Sequence, residues 1–522
     1  MKTLMNSYKK RRFFTLPLTF VMVVMMTVNC SKDDLNLTNP NALSTVSFWK
    51  TADDAEKGLV ACYGPLTTTQ GWGRMLGGIL TIHRGDDANA FSWPAVSDPG
   101  TFTVVSNDGR VSEGWGELNA IVARTNSVLA YVPAIDMDEA QKKRILGEAS
   151  FLRAVAHFYL LNMWGNIPLI LEPVEEVNDL FVEQAPQAAV WASIIADAKA
   201  AQAALPEKVD AANVGRATWG AATALLGKAY LFTKDWPNAA AEFKKIIDKP
   251  GLYRLVSNYQ DNFLTATNNN AESIWELQYE SNVNASWGTS GTPNVGRGQA
   301  YEPDIAPPAY SSQGSISVNR WVFDAFMKQK TKDGKIDPRA YATMVWNYPG
   351  AKIYQDNFKT KMTGADTNRI WDRKYLNYDR ESSLVPGSWW YAANNRRMIR
   401  LADVLLMYAE AKNEASGPDA TAYAAINAVR ARANMPDIAA GLSKDAFRTA
   451  VRDERVLELS LEGDRIFDLL RWGTMAEVFT KHPEYRSNSG GKFIAGKNEY
   501  LPIPFNDISA NPKLKQNPGY IN

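Results

Sequence analysis

The sequence predicts a mainly α-helical protein, an irregular scaffold of helix pairs carrying a large loop-rich, aromatic-rich portion with little β structure. Three observations predict it. Apolar residues recur at three- and four-residue steps over long stretches, as in Asp138 to Trp164, where Ile145, Ala149, Leu152, Ala156 and Tyr159 share one helix face. A central pair, "LGKAY" followed by Ala239 to Phe243, matches the L-G-x2-Y and A-x3-F elements of a tetratricopeptide unit. From Leu255 to Arg397 this periodicity mostly lapses, and Asn, Gly, Ser, Pro and aromatic residues take over.

Residues 1–29 read as an export signal. "KKRR" is the basic head, and "FFTLPLTFVMVVMMTV" is an apolar core too short and too abruptly ended for a membrane span. Cys30 follows at the point of cleavage, where a nucleophilic thiol can receive a diacylglyceryl group. Residues 30–50 are polar and turn-rich, a lipid-anchored tether. The only other cysteine, Cys62, lies in "TADDAEKGLVACYGPL", a helix with acidic residues in its first turn after Thr51. It is expected to be a small buried hydrophobe rather than a disulfide partner.

Residues 51–270 form an N-terminal helical region. Helices run through Trp115 to Val132 and Asp138 to Trp164, then "PLILEPV" stops the pattern because Pro168 and Pro173 forbid continuation. "PQAAVWASIIADAKAAQAAL", "RATWGAATALLGKAYLFTKD" and "WPNAAAEFKKIID" follow. In that last pair Gly227 lets two helices approach while Tyr230 and Phe243 fill the space between turns, and Thr223 stands where the motif prefers tryptophan. Residues 271–522 form a C-terminal region, loop-rich over 271–397, helical over 398–472, with a closing tail at 473–522. The second helix pair, "RLADVLLMYAEAKNEA" and "DATAYAAINAVRARANMP", repeats the outline without the glycine.

Composition excludes several functions. Five of the 57 Lys and Arg residues lie in the first 29 positions, which hold no acid; the remainder has 52 basic and 56 acidic side chains, a net charge of −4. Such a surface has no field to attract a phosphate backbone, so nucleic acid is not expected as a partner. Only His83, His157 and His482 are present, with no HExxH, paired CxxC, Walker loop, GxGxxG or GxSxG. No metal or cofactor site is expected, and His157 reads as a hydrogen-bonded core histidine.

Two sets of residues carry possible chemistry. Glu454, Glu458 and Glu462 at four-residue spacing, with Arg455 and Arg465 interleaved, read as an ion-pair network on one helix face rather than as hydrolytic carboxylates. In "HRGDDANAF", Arg84, Asp86 and Asp87 either hydrogen-bond a ligand's hydroxyls or cap the next element. The aromatic set is Trp72, Trp93, Trp287, Tyr301, Tyr310, Trp321, Trp389 and Trp390, several of them beside Gly, Pro, Ser or Asn. Flat exposed rings stack on the C–H face of a sugar while Asn, Asp and Arg read its hydroxyls, so an oligosaccharide or other amphipathic ligand is the expected class.

Five blocks in order, "GEASFLRAVAHFYLLNMWGNIPLI", "RLADVLLMYAEAKNEA", "AINAVRARANMP", "RDERVLELSLEGDRIFDLLRWG" and "YLPIPFNDISANPKLKQNPGY", together resemble the SusD/RagB family of nutrient-uptake lipoproteins. The resemblance implies a tetratricopeptide-like helical scaffold, an irregular ligand-binding portion and no catalysis. It implies binding of oligosaccharides, or of peptides in some relatives, and delivery to a TonB-dependent SusC-like outer-membrane transporter over which the lipoprotein closes as a lid. It further implies lipidation at Cys30 and residence at the cell outer membrane. Acidic residues after the lipidated cysteine favour surface export in this family, and Ser31, Asp33 and Asp34 fit that pattern around Lys32. The candidate contacts, Trp72, Arg84, Asp86, Trp93, Trp287, Tyr301, Trp321, Trp389 and Trp390, rest on loop position and side-chain chemistry.

Overall fold

Thr51 opens the first helix, α1 (Ala52–Thr67), with a reciprocal cap: its hydroxyl accepts from the Asp54 N–H, and the Asp54 carboxylate accepts from the Thr51 N–H. The computed structural model describes residues 48–91, 94–280, 298–311, 313–376, 392–481 and 493–521. Thr51–Asn522 form one compact unit. Cys30 and most of the tether lie outside the described residues. Cys62 is fully buried in α1, its thiol donating to the Gly58 carbonyl, and burial pushes its pKa up to about 12. Packing, not pairing, accounts for it.

After a short strand, β1 (Ala88–Ala90), the helices follow the apolar periodicity. α2 (Gly109–Tyr131) starts six residues before Trp115 because Asp108 caps it. α3 (Glu139–Trp164) is capped by Asp138, whose carboxylate accepts from the Gln141 N–H at 2.8 Å. It ends at Gly165, whose positive φ turns the chain away ahead of Pro168. α4 (Gln187–Ala204), α5 (Trp219–Phe232) and α6 (Trp236–Ile247) complete the first run, and each helix from α1 to α6 packs on the next.

The α5–α6 pair shows the physics of its motif. A Cβ on Gly227 would sit 2.6 Å from Cε1 of Phe243, so only a bare Cα lets the buried ring lie there. Thr223, where the motif prefers tryptophan, is buried too. It donates to the Trp219 carbonyl at 2.7 Å and accepts from Gln202 of α4 at 2.9 Å, joining helices by hydrogen bonds where an indole would join them by area.

Beyond Ile247 the chain leaves the stack. The excursion contains β2 (Ser273–Leu277), β3 (Ile316–Val318), α7 (Arg320–Lys328), α8 (Arg339–Thr343), β4 (Met344–Val345), β5 (Lys352–Ile353), β6 (Asp356–Asn357), β7 (Trp371–Asp372) and β8 (Arg396–Arg400). Strands pair antiparallel in twos, β1 with β3, β2 with β8, β4 with β7 and β5 with β6. The lapse in periodicity thus reflects many short elements. β8 runs straight into α9 (Leu401–Ser416), and α9 packs against α6, more than 150 positions earlier. The helical stack is continuous in space across the excursion, and β2–β8 closes it at its root. α10 (Ala420–Arg432) and α11 (Lys444–Leu459) pack on α9, and α12 (Arg465–Trp472) follows. No helix of the described residues is long and apolar enough to cross a membrane.

Candidate ligand-binding site

The seam between excursion and helical stack is a buried ionic lattice. Arg339, at the start of α8, donates to Asp337 at 2.7 Å, Glu454 at 2.6 Å and Glu458 at 2.9 Å, with no side-chain exposure. Arg400, ending β8, reaches Glu272 and Glu462, each at 2.8 Å, and also Glu458. Arg432 bonds Glu272 and Glu458, Arg430 bonds Glu454, and Lys374 bonds Glu462. The Tyr259 ring lies beside the Arg432 and Lys374 cations at 4.8 and 5.3 Å. Five cations face five carboxylates, so the charges balance.

Burial raises the Glu458 pKa, but Arg432, Arg400 and Arg339 outweigh it and hold the carboxyl well below the usual carboxylate range. Burial acts on Glu462 in the same sense, and Arg400 and Lys374 again outweigh it. A general acid needs the opposite shift, so these glutamates have the ion-pair role expected of them. One detail differs. The helix ends at Leu459, and Leu461 and Gly463 take positive φ, so Glu462 reaches the lattice from a turn beyond α11 rather than along its face.

Four of the expected contact residues are interior. Trp72 is 2% exposed and packs edge-on to Tyr159 at 4.7 Å. Tyr301 is fully buried: its hydroxyl is 3.1 Å from His83 Nε2, and its ring lies so close to Gly78 that a Cβ there would be 2.3 Å away. Buried Arg84 donates to the carbonyls of Asn498 and Glu499, anchoring the closing tail, and burial lowers its pKa to about 10. Asp86 takes both Nε and Nη2 of Arg465, at 2.6 and 3.0 Å, and Asp87 accepts from the Leu461 N–H at 2.7 Å. The turn "HRGDDANAF" therefore fastens distant parts of the chain together, and none of these four side chains offers a surface on which a sugar can stack.

Trp321 stands at the start of α7, half-buried. Its N–H donates to the Asp86 carbonyl at 2.6 Å, and Arg465 lies over its ring at 5.3 Å. Tyr310 is half-buried and donates to Asp356 at 2.8 Å. Trp93, Trp287, Trp389 and Trp390 lie outside the described residues, but the chain that leads to them does not. Gln299 and Ala392 exchange backbone hydrogen bonds at 2.9 and 2.8 Å, and the Tyr279 N–H donates to Asn395 at 2.8 Å. Asn268 donates to the Ala393 carbonyl. Described residues on both sides of 281–297 thus bond the stretch that follows residue 391. On the N-terminal side, the Phe91 N–H donates to the Ser315 carbonyl, next to β3.

An aromatic group outside the expected set also faces solvent. Phe323 of α7, Tyr341 of α8, and Trp346 and Tyr348 in the turn after β4 form a half-exposed cluster, with centroids 4.7 to 5.3 Å apart. "YATMVWNYPG" spaces its rings irregularly, so neither helix nor strand periodicity marks them as one surface.

Comparison with known proteins gives a consistent set of likenesses. A SusD family model matches residues 271–520, and a model described as starch-binding associating with outer membrane matches residues 87–231. A SusD-like protein of Formosa agariphila is 28% identical, over 77% of this chain and 78% of that protein. The starch-binding protein SusD of Bacteroides thetaiotaomicron is 25% identical, over 74% of each. Among solved structures, a SusD superfamily protein from Bacteroides vulgatus superposes with a TM-score of 0.79 at 27% identity, covering 91% of this chain and all of that one. A laminarin-binding SusD-like protein superposes with a TM-score of 0.72 at 28% identity, over 90% of this chain and 100% of that one.

Proposed function

The chain belongs to the SusD/RagB family, and from that premise we propose that it is a non-catalytic, lipid-anchored surface protein that binds oligosaccharides and delivers them to a TonB-dependent outer-membrane transporter. The observation that carries the reading is the bonding of Gln299 to Ala392, which adjoin in sequence the segments bearing Trp287, Trp389 and Trp390. Tryptophan rings supply flat faces on which sugars stack. Trp93 and Trp321 complete the proposed contact set. Relatives named for starch and laminarin binding support the ligand class. Affinity gels containing laminarin, starch or other glycans, run beside a peptide-binding assay, test it. Retardation by at least one glycan is expected. Binding of peptides alone, or release of reducing ends by the purified protein, would sink the proposal.

The partner needs a docking face, and 167–185 offers one. Its ends are closed by an antiparallel bridge, Pro168 to Gln184. Asn126 and Arg153 donate to the carbonyls of Ile170, Leu171 and Glu172, and Asn511 donates to those of Leu180 and Val182. On this fixed backbone Val177 is 70% exposed and Leu180 46%, with Leu171 and Val174 also exposed. The acids Glu172, Glu175, Glu176, Asp179 and Glu183 surround them, and no Lys or Arg falls between Arg153 and Lys199. A partner carrying apolar side chains among basic ones fits this face. In detergent extracts the transporter is expected to co-purify with the wild type. The pair Val177→Asp and Leu180→Asp should lose it while staying in the outer-membrane fraction, and Cys30→Ala should leave that fraction. Undiminished co-purification or membrane attachment refutes the respective assignment.

A further inference from the structure

We propose that the surface cluster of Tyr341, Trp346 and Tyr348, backed by Phe323, is a carbohydrate-stacking platform additional to the aromatic loops. The inference rests on the glycan-binding reading and gives it a second contact surface.

The cluster is built as a platform rather than as an extension of the core. Tyr341 and Trp346 are stacked, with planes 28° apart and centroids 5.1 Å apart; Tyr348 leans against Trp346 at 4.7 Å, and Phe323 meets Trp346 edge-on at 5.3 Å. All four are half-buried, whereas the core aromatics Phe151, Phe243 and Trp371 are fully buried. Its mounting is rigid. Tyr341 shares α8 with Arg339, a hub of the ionic lattice, and its carbonyl accepts from Arg373 at 2.7 Å. Trp346 follows β4, which is paired with β7, and the turn is held by the Tyr348 N–H to the Trp346 carbonyl and the Ala351 N–H to the Tyr348 carbonyl, both at 3.0 Å.

The polar tips are open. No described residue bonds the Trp346 N–H or the hydroxyls of Tyr341 and Tyr348. Five other indoles donate: Trp115 to Asp507, Trp275 to Gly215, Trp321 to Asp86, Trp371 to Asp366 and Trp472 to Glu410, while that of Trp164 is buried without a partner. A surface with flat apolar faces and unspent donors and acceptors at their edges suits a ligand that is itself two-sided, apolar on its C–H face and hydroxylated at its rim. A protein partner is disfavoured because none of the large exposed hydrophobics among the described residues falls between 319 and 376, so that, the half-buried Met327 aside, the stretch offers little aliphatic surface for an interface core. Asn347, Asp324 and Arg320 supply polar groups instead.

Affinity gels containing laminarin or soluble starch test the platform, using the full mature chain. Trp346→Ala is expected to weaken binding by about tenfold, the range that follows from removing one aromatic stacking face. The double variant Tyr341→Phe with Tyr348→Phe keeps the rings and their packing and should weaken binding about threefold through the hydroxyls alone, near one ordinary hydrogen bond. It remains informative if Trp346→Ala fails to fold, which a thermal melt reports. Wild-type retardation that both variants reproduce overturns the platform and leaves the glycan reading standing. A wild type retarded by neither laminarin, starch nor any other glycan of the panel overturns both.

Discussion

Replacing Glu458 by alanine is expected to lower the unfolding free energy by about 3–5 kcal/mol, the cost of stranding buried charge when one partner is removed. Glu458 is fully buried and accepts from Arg339, Arg400 and Arg432. Without it three guanidinium groups face one another in an interior that cannot solvate them. Domain stabilities are about 5–15 kcal/mol, so the variant should unfold at markedly lower urea or temperature, or fail to accumulate. The surface pair Lys244–Asp248, with side chains 54% and 56% exposed, is the control, and Asp248→Ala should leave the midpoint where it is. A Glu458→Ala midpoint equally unchanged would mean that the lattice does not hold the seam.

His157 should make the protein sensitive to mild acid. It lies in α3, 1% exposed, and neither ring nitrogen has a hydrogen-bond partner. It is a core histidine, as the sequence suggests, but not the hydrogen-bonded one expected. Burial, aided by the nearby Arg153 charge, lowers its pKa to about 3. The unfolded chain takes up a proton below about 6.5, and the folded chain does not until about pH 3. The unfolded state therefore binds more protons across that window, and stability falls as pH is lowered through it by about 1.4 kcal/mol per unit. His157→Leu removes the titrating group and an unmet polar burial. Its unfolding free energy should match or exceed the wild type's near pH 7 and exceed it by about 3 kcal/mol at pH 4. Burial raises the Asp403 pKa, but Lys228 and Arg455 outweigh it and hold the group at about 2, so its contribution is lost only below about pH 4 and the two windows separate. A His157→Leu advantage that does not change with pH refutes this account.

Much of the scaffold was legible because its signals are local. The steps of Ile145, Ala149 and Leu152 mark α3, and Gly227 with Phe243 marks a close helix pair, since each follows from neighbours within a few turns. Four-residue spacing brought Glu454 and Glu458 to one face, but their partners Arg339 and Arg400 lie 115 and 58 positions from them and carry no local signature. The interior positions of Trp72 and Tyr301 carry no local signature either. Gly71 and Gly73 beside Trp72, and Gly298 and Pro303 near Tyr301, look like open loop, while Gly78 admits the Tyr301 ring into the interior. Trp346 went unmarked because a two-residue strand and a turn are too short to show a period.

The spatial continuity of α6 and α9 has a consequence for how such a protein can diversify. Because the stack does not pass through the excursion, and β2–β8 clasps it at the root, chain can be inserted or recast there without disturbing the helix order. Doubling a flexible segment adds only about 0.6 kcal/mol of closure entropy, little beside the lattice. So long as Glu272, Arg339, Lys374 and Arg400 keep their register, the stretches between them can be rewritten as freely as the variable loops of an antibody. One inherited frame can in that way carry many different surfaces.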